Sequence, residues 1–331
     1  MIITRTPFRV SFFGGGTDYP TWYQRHGGVV LATSIDKYCY ITCRYLPPFF
    51  EHKYRIVYSR IENVQKISEI QHPAVKAVLD TYGCTDGLEV HHDGDLPARA
   101  GLGSSSSFTV GLINAVMALQ GKYISKEELA SQAIHVEQKV IQENVGSQDQ
   151  ISAAFGGLNR IEFRQDGSFD VAPIILPKER LAVLQSHLML CYTGLSRIAS
   201  EVAKSTIENL DRREKELKLM KGLVDQAVSV LQSRTAPIED FGKLLHESWM
   251  CKRQLSDKVS SSEIDALYDT ARGMGAIGGK LLGAGGGGFF LLFVRPEHQK
   301  EMREKLSRLV HVPFRFENAG SRVVLYQPSG L

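Results

Sequence analysis

Long hydrophobic runs are missing from this chain of 331 residues. The longest apolar stretches, such as residues 289–294, fall far short of the roughly 18 residues that a membrane-spanning helix needs. The chain begins with MIITRTPFRV, which does not have the pattern of a signal peptide. We therefore expect a cytoplasmic protein that has no membrane partner.

An excess of charge of one sign is also lacking, since 39 Lys and Arg residues face 36 Asp and Glu residues, for a net charge of +3. This balance disfavours a nucleic-acid partner and favours small-molecule chemistry. The cysteines are odd in number and form no CxxC pair, so we expect free thiols rather than a disulfide framework or a zinc ribbon. They are Cys39, Cys43, Cys84, Cys191 and Cys251.

The length and a composition of 43% hydrophobic and 23% charged residues predict about two globular domains. Alternating or continuous β-rich runs predict strands at residues 2–6, 9–13, 29–34, 39–44, 54–58, 88–92, 158–163, 169–175, 188–192, 289–294, 314–316 and 323–326. Helical spacing predicts helices at residues 108–119, from Ser125 to near Asn144, and at residues 196–233, 239–254, 262–274 and 296–309. We predict two α+β domains, residues 1–180 and 181–331.

One glycine-rich segment, DGDLPARAGLGSSSSFTVG, lies directly before a strong helix. Its glycines let the backbone approach a ligand closely, and the amides at the helix start favour an anion. We predict a phosphate site, although the P-loop pattern GxxxxGK[ST] is absent and a flexible turn capped by serine remains the alternative. The predicted phosphate-binding residues are Gly101, Leu102, Gly103, Ser104, Ser105, Ser106 and Ser107.

A second glycine-rich segment, RTPFRVSFFGGGTDYP, places three glycines at the end of a strand. Backbone without side chains can crowd a ligand there while a carboxylate accepts hydrogen bonds from sugar hydroxyls. A glycine-rich hairpin with an ordinary turn aspartate is equally compatible with the spacing. The predicted substrate-binding residues of this segment are Gly15, Gly16, Thr17 and Asp18.

The third segment, GAIGGKLLGAGGGGFFLLFV, contains a formal GxGxxG match at residues 283–288. A dinucleotide fingerprint needs glycines between a strand and a following helix, whereas these glycines precede a strand. We therefore reject a nicotinamide oxidoreductase. A close-packed loop beside a ligand fits better, with Gly285 and Gly286 as substrate-binding residues.

Two carboxylates complete the set. Glu137 lies on the helix that begins at Ser125, and Asp149 is expected in the loop beyond that helix. If the chain folds back, one carboxylate could bind magnesium and the other could take a proton. A single Glu on a helix is usually a solvated surface residue, so the pair gains weight only beside the phosphate loop.

Taken in order, RTPFRVSFFGGGTDYP, LPARAGLGSSSS and KLLGAGGGGFFLLFV resemble the three motifs of the GHMP kinase superfamily. The resemblance covers about the whole chain. It implies an α+β, two-domain GHMP kinase fold, with an N-terminal domain like ribosomal protein S5 domain 2 and a ferredoxin-like C-terminal domain. The active site would lie between them and would use ATP and Mg²⁺.

The resemblance also implies roles for single residues. Asp149 matches the catalytic aspartate, and Arg9 matches the basic residue beside it, which would lower its pKa or stabilise the transferred phosphoryl group. Glu137 and Ser105 match the magnesium ligands, but the run of four serines leaves the serine assignment open by one position.

Within the superfamily, GGGTDYP stands where galactokinases have GEHTDY, and the chain is most similar to bacterial D-glycero-D-manno-heptose 7-phosphate kinases. This branch implies transfer to the anomeric hydroxyl, for nucleotide-activated heptose and surface glycans. L-fucokinase-like enzymes and a catalytically silent sugar-sensing protein are the alternatives. The substrate phosphate needs a cation at a strand end, and the predicted residues are Thr193, Gly194 and Arg197, with Lys280 as a second cation. A homo-oligomer is left open.

Overall fold

The computed structural model describes residues 1–98, 100–195 and 199–328. Its strands are β1 (Ile2–Phe13), β2 (Gly28–Tyr45), β3 (Tyr54–Val57), β4 (Ile61–Val64), β5 (Leu88–Gly94), β6 (Leu158–Phe163), β7 (Phe169–Pro173), β8 (Leu188–Tyr192), β9 (Gly278–Leu281), β10 (Phe289–Phe293), β11 (Val310–Val312), β12 (Phe316–Glu317) and β13 (Arg322–Tyr326). Its α-helices are α1 (Pro20–His26), α2 (Pro73–Thr81), α3 (Ser104–Leu119), α4 (Lys126–His135), α5 (Gln148–Phe155), α6 (Lys178–Ser186), α7 (Ala199–Asn209), α8 (Glu214–Gln232), α9 (Glu239–Arg253), α10 (Ser262–Gly273) and α11 (Gln299–Lys305).

The first sheet is built on the long antiparallel pair of β1 and β2. Strand order along its main path is β13-β1-β2-β5-β3-β4, and β6, with β7 beside it, pairs with the start of β2. Helix α3 is buried along most of its length and packs on β1 and β2. The start of α3 is therefore fixed against the first sheet.

The second sheet has the strand order β11-β8-β10-β9, and α9 packs on β9. Strand β10 is buried throughout, as its continuous apolar sequence FFLLF predicts. The second half of the chain contacts the first half through rings as well as strands, since the Phe241 ring of α9 lies 5.4 Å from Phe12 and 5.1 Å from Phe13.

The last two strands return to the first sheet. Strand β13 pairs with β1, and β12 pairs with β2. The change of sheet along the chain falls between β7 and β8, and the segment 316–326 belongs with the first sheet. The division at residue 180 stays a prediction.

Several elements differ from the prediction. The paired segments 2–6 and 9–13 form one strand, as do 29–34 and 39–44, because Pro7 and residues 35–38 are accommodated at register shifts in the ladder. The strands β4, β9 and β11 and the helices α1, α2, α5 and α6 were not predicted, since each is short. Residues 314–315 lie outside the observed strand β12.

The predicted helix from Ser125 to near Asn144 ends earlier. The capping box at its start is confirmed, because the side chains of Ser125 and Glu128 each accept the other's backbone N–H. Regular helix ends at His135 and continues as a π-helical turn, Val136–Val140. Asp149 was wrongly placed in a loop, since it lies in the first turn of α5. Within the described part of the chain, no helix has the length and apolarity to cross a membrane.

Candidate active site

An ion pair between Arg9 and Asp149 lies where β1 meets α5. The Nε of Arg9 donates to Oδ1 of Asp149 at 2.9 Å, and Nη2 donates to Oδ2 at 2.7 Å. The Arg9 side chain is 4% exposed, whereas that of Asp149 is 27% exposed. The two-point geometry fixes the plane of the carboxylate while leaving part of it open to a ligand.

The predicted phosphate loop lies directly against this pair. The Nη1 of Arg9 donates to the carbonyl of Gly101 at 2.5 Å, and its backbone N–H donates to the carbonyl of Leu102 at 3.0 Å. Gly103 has a φ of +74°, and a Cβ there would lie 3.4 Å from Oδ2 of Asp149. The glycines thus let the backbone approach the acid closely.

The serines of the same loop divide by their surroundings. Ser104 begins α3, and the Ser105 side chain is exposed. Ser106 is buried and donates to Oε2 of Glu137 at 2.8 Å, while Ser107 is buried and donates to the carbonyl of Pro7 at 2.9 Å. The hydroxyl beside Glu137 is thus one position beyond the predicted Ser105.

Glu137 is a buried acid held at the π-helical turn Val136–Val140. Its Oε2 also accepts from the side-chain amide of Gln150, the residue after Asp149. Burial raises the pKa of Glu137 to about 7, although the hydrogen bonds that its carboxylate receives lower the pKa. Among the described residues, no partner is present for Oε1 of Glu137 or for Oε1 of Gln150.

These free oxygens fit a magnesium ion. Mg²⁺ prefers oxygen ligands and is often held by one or two carboxylates together with substrate phosphates and waters. In the described ranges, acids, histidines and cysteines form no cluster of three or more that could hold a metal by themselves. The donor set of Glu137 and Ser106 therefore suits a metal that arrives with a nucleotide.

The first glycine-rich turn places its two polar residues differently. Thr17 is fully buried, and its hydroxyl bonds to the carbonyls of Gly14 and Val29, so it holds the turn together. Asp18 is nearly buried and accepts from the backbone N–H of Gly16 at 2.9 Å. Burial raises the pKa of Asp18 above its usual range, and the nearby Asp149 charge adds to the effect. Asp18 thus lies close enough to Asp149 for the two charges to interact.

The glycines of this turn allow neighbouring side chains to pack closely against its backbone. Gly15 is half-buried, and a Cβ there would lie 3.7 Å from the hydroxyl of Ser11. At Gly16 a Cβ would lie 3.1 Å from a methyl of Leu217 and 3.4 Å from one of Leu255. Backbone of the first motif therefore comes close to α8 and to the residues just after α9.

The third motif is a close-packed loop, as expected. The N–H of Gly286 donates to the carbonyl of Val259 at 2.9 Å, and a Cβ at Gly285 would lie 2.6 Å from the same oxygen. Thr193 donates through its hydroxyl to the carbonyl of Gly288 at 2.8 Å. Thus Gly285, Gly286 and Thr193 contact protein backbone in this structure.

Two of the predicted substrate-binding residues have no such contact described. Gly194 is exposed, with a φ of +73°. Arg197 lies outside the described residues. The second predicted cation, Lys280, is buried and donates to the carbonyl of Phe12 at 2.8 Å. Burial holds the pKa of Lys280 well below its usual range.

A second buried lysine, Lys252, was missed by the sequence analysis. It lies on α9, and its Nζ donates to the carbonyls of Leu281 and Gly283. A signal existed, because Phe241, Leu245, Trp249 and Lys252 recur at helical spacing on one face. A lysine at such a core position needs a partner inside the protein.

Two sequence profiles of one family match the chain. The profile described as the GHMP kinases N terminal domain matches residues 67–157, and that described as GHMP kinases C terminal matches residues 227–311. Together these segments span more than half of the chain. The chain belongs to the GHMP kinase family.

Curated relatives agree with the profiles. The chain is 28% identical over 319 residues to D-glycero-alpha-D-manno-heptose 7-phosphate kinase of Campylobacter jejuni, with 93% of each protein covered. It is 31% identical over 242 residues to mevalonate kinase of Pyrococcus abyssi, with 71% of this chain and 68% of that protein covered. The prediction of an ATP-dependent sugar kinase is thereby confirmed at the level of the enzyme class.

A solved structure of a heptose phosphate kinase has the same fold. The crystal structure of a D-glycero-D-manno-heptose 1-phosphate kinase from Bacteroides thetaiotaomicron superimposes with a TM-score of 0.80 at 22% identity, covering 98% of each chain. The predicted two-domain GHMP kinase fold is confirmed by this match and by the two profiles.

Proposed function

We propose that this kinase transfers the γ-phosphoryl group of ATP to the anomeric hydroxyl of D-glycero-D-manno-heptose 7-phosphate. The product would be the 1,7-bisphosphate, a precursor for nucleotide-activated heptose and surface glycans. The relative from Campylobacter jejuni supports the heptose class over the full length of the chain. The name of the solved neighbour indicates a 1-phosphate, so the position of transfer is the point that needs an experiment.

The observation that carries the proposal is the pairing of Arg9 with Asp149. Both carboxylate oxygens of Asp149 are oriented by one guanidinium. Oδ1 also accepts from the Gln148 side-chain amide at 3.4 Å, whereas Oδ2 keeps a lone pair for a ligand hydroxyl. Asp149 accepts the hydroxyl proton as the sugar oxygen bonds to phosphorus, and the bond from phosphorus to the ADP oxygen breaks. The proton therefore moves to Asp149, and ADP is the leaving group.

Arg9 mainly binds the carboxylate of Asp149. Three of its N–H groups are occupied by Asp149 and Gly101, so the family expectation of a direct contact with the transferred group would rest on the two that remain. We infer that Arg9 orients Asp149 and supplies positive potential. Phosphoryl transfer depends mostly on such positioning and electrostatics.

The loop from Gly101 to Ser107 would hold the ATP phosphates at the start of α3, where the helix dipole favours an anion. Glu137 and Ser106 would hold the magnesium ion, with Ser105 exposed one position earlier. Bound there, Mg²⁺ supplies neutralising charge between the phosphates. Burial without a metal raises the pKa of Glu137, so the ion would favour its ionised form.

A product assay tests the substrate. The purified enzyme is incubated with ATP and Mg²⁺ and with heptose 7-phosphate, heptose 1-phosphate, L-fucose, galactose or mevalonate, and the products are read by phosphorus NMR. We expect heptose 7-phosphate to be the best acceptor, with a new phosphate resonance coupled to the anomeric proton. Preferred transfer to L-fucose would select the fucokinase-like alternative, and preferred transfer to mevalonate would contradict a sugar substrate. Absence of transfer to every acceptor, in a chain that binds ATP, would favour the sensing protein.

A further inference from the structure

Lys252 is a lysine of α9 whose side chain is buried. Its Nζ lies 3.1 Å from the carbonyl oxygen of Leu281 and 2.5 Å from that of Gly283. Burial, together with the charge of Arg9, lowers the pKa of Lys252 to about 7, while Asp18 and Asp149 act in the opposite direction. Burying a lysine has a large desolvation cost, so we expect Lys252 to have a role besides packing.

The turn that Lys252 holds touches the phosphate loop through bare backbone. A Cβ at Gly101 would lie 2.5 Å from the carbonyl oxygen of Leu282, and a Cβ at Gly283 would lie 2.5 Å from Cα of Gly101. Next to this contact, the N–H of Phe289 donates to the carbonyl of Ala100 at 3.0 Å. A shift of the turn is therefore passed directly to Gly101.

Gly101 in turn determines where Arg9 lies. Its carbonyl accepts from Nη1 of Arg9 at 2.5 Å, on the side of the guanidinium that Asp149 does not use. Arg9 is almost completely buried, so the side chain has no solvent-exposed alternative position nearby. Contacts thus run without a gap from Lys252 through Gly283 and Gly101 to Arg9 and Asp149.

We propose that Lys252 is a positioning residue for phosphoryl transfer, which acts by holding the turn at residues 281–283 against Gly101 so that Arg9 keeps Asp149 in its reactive orientation. The proposal rests on the proposed role of Asp149. Lys280 differs, because it bonds to the carbonyl of Phe12 and joins the sheets beside this path. Lys252 does not touch the reacting atoms in this scheme, so its effect passes entirely through the protein.

The test compares Lys252→Met with Lys243→Met. Lys243 lies on the same helix with a 67% exposed side chain, so its variant makes the same change of charge at the surface. We expect kcat to fall by about 10- to 100-fold in Lys252→Met, with the KM for ATP changed less than about threefold, because a small misplacement affects the chemical step most. Lys252→Gln, which retains a side-chain donor, should recover part of the loss. Lys243→Met should keep the wild-type kcat.

A spectroscopic readout needs neither sugar nor nucleotide. The Arg9 Nε–H resonance, assigned by its loss in Arg9→Lys, should move or broaden in Lys252→Met and stay in place in Lys243→Met. Wild-type failure on every sugar would defeat the proposed function but leave this measurement intact. An unmoved Arg9 resonance, or a folded Lys252→Met enzyme with kcat within twofold of wild type, would overturn the proposal. If Lys252→Met does not fold, the same two criteria apply to Lys252→Leu, which likewise lacks a side-chain donor.

Discussion

A carboxylate that is held at both oxygens and still reaches solvent is well suited to accept a proton. Replacing Asp149 by Asn keeps the size of the side chain but removes the base, so we expect kcat to fall by about two to four orders of magnitude. Binding of Mg·ATP, measured by titration calorimetry, should change little. Asp170→Asn, at an exposed position on β7, provides the control. A folded Asp149→Asn enzyme with undiminished turnover would exclude the assigned role.

Lys252 also gives a prediction on stability. Its pKa is lowered to about 7 in the folded chain, whereas an unfolded lysine has an ordinary pKa of about 10.4. Between these values the unfolded chain binds more protons, so this residue makes the free energy of unfolding increase as pH rises through that window. Urea unfolding at pH 7 and at pH 9.5 should show a smaller increase in Lys252→Met than in wild type. Lys243→Met should show the wild-type increase. An equal increase in the free energy of unfolding from pH 7 to pH 9.5 in all three proteins would contradict a lowered pKa of Lys252 in the folded chain.

Residue types in the motifs were readable from the sequence, but their side-chain directions were not. Glycines and serines before a helix predicted a phosphate loop, yet only the rotation of α3 decides that Ser106 and not Ser105 meets Glu137. Thr17 has the chemistry of a sugar ligand, and the fold uses its hydroxyl inside a turn instead. Local spacing does not contain that information, because both outcomes depend on tertiary contacts.

At the scale of elements, the second and third motifs form one unit through their glycines. Gly101→Ala would introduce a Cβ 2.5 Å from the carbonyl oxygen of Leu282 at a φ of +87°. Gly121→Ala shares the left-handed strain at a φ of +69°, but no atom lies within 4 Å of its Cβ. We expect Gly121→Ala to cost about 1–2 kcal/mol and Gly101→Ala clearly more.

Urea unfolding measures the loss of stability in Gly101→Ala and in Gly121→Ala. We expect kcat to fall only in Gly101→Ala, because only there does a displaced carbonyl disturb Arg9. Equal losses of stability in the two variants would show that backbone strain alone matters at residue 101. An unchanged kcat in a folded Gly101→Ala enzyme would show that the loop tolerates the displacement.

Elements with strong periodicity were predicted well, and short ones were not. The buried helix after the serines and the apolar strand β10 follow directly from their sequences. By contrast, α5 is eight residues long, too short for a clear pattern, and Asp149 was consequently placed in a loop. The π-helical turn at Glu137 has no recognised sequence signal and depends on packing with its neighbours.

For the whole molecule, the return of β12 and β13 to the first sheet ties the two halves together. Sequence order suggests a simple boundary near residue 180, because pairing partners far apart along the chain leave no local pattern. We predict a single cooperative unfolding transition, since β13 pairs with β1 and Lys280 bonds to β1 as well.

The chain contains two tryptophans, and both are buried, Trp22 in α1 and Trp249 in α9. Trp249→Phe leaves a reporter in the first half, and Trp22→Phe leaves one in the second. In each variant, urea midpoints from fluorescence should coincide with those from far-ultraviolet circular dichroism of the same protein. A fluorescence midpoint that separates from the circular dichroism midpoint in either variant would indicate independently unfolding halves.

Contact between two loops through bare backbone also bears on how this enzyme family diverges. Residues that meet through side chains can change in compensating pairs, a larger one in one relative facing a smaller one in another. Gly101 and Gly283 have no side chain to exchange, and either substitution would strike main-chain atoms that no partner mutation removes. Relatives with different acceptors should therefore keep both glycines and show no covariation between the two positions.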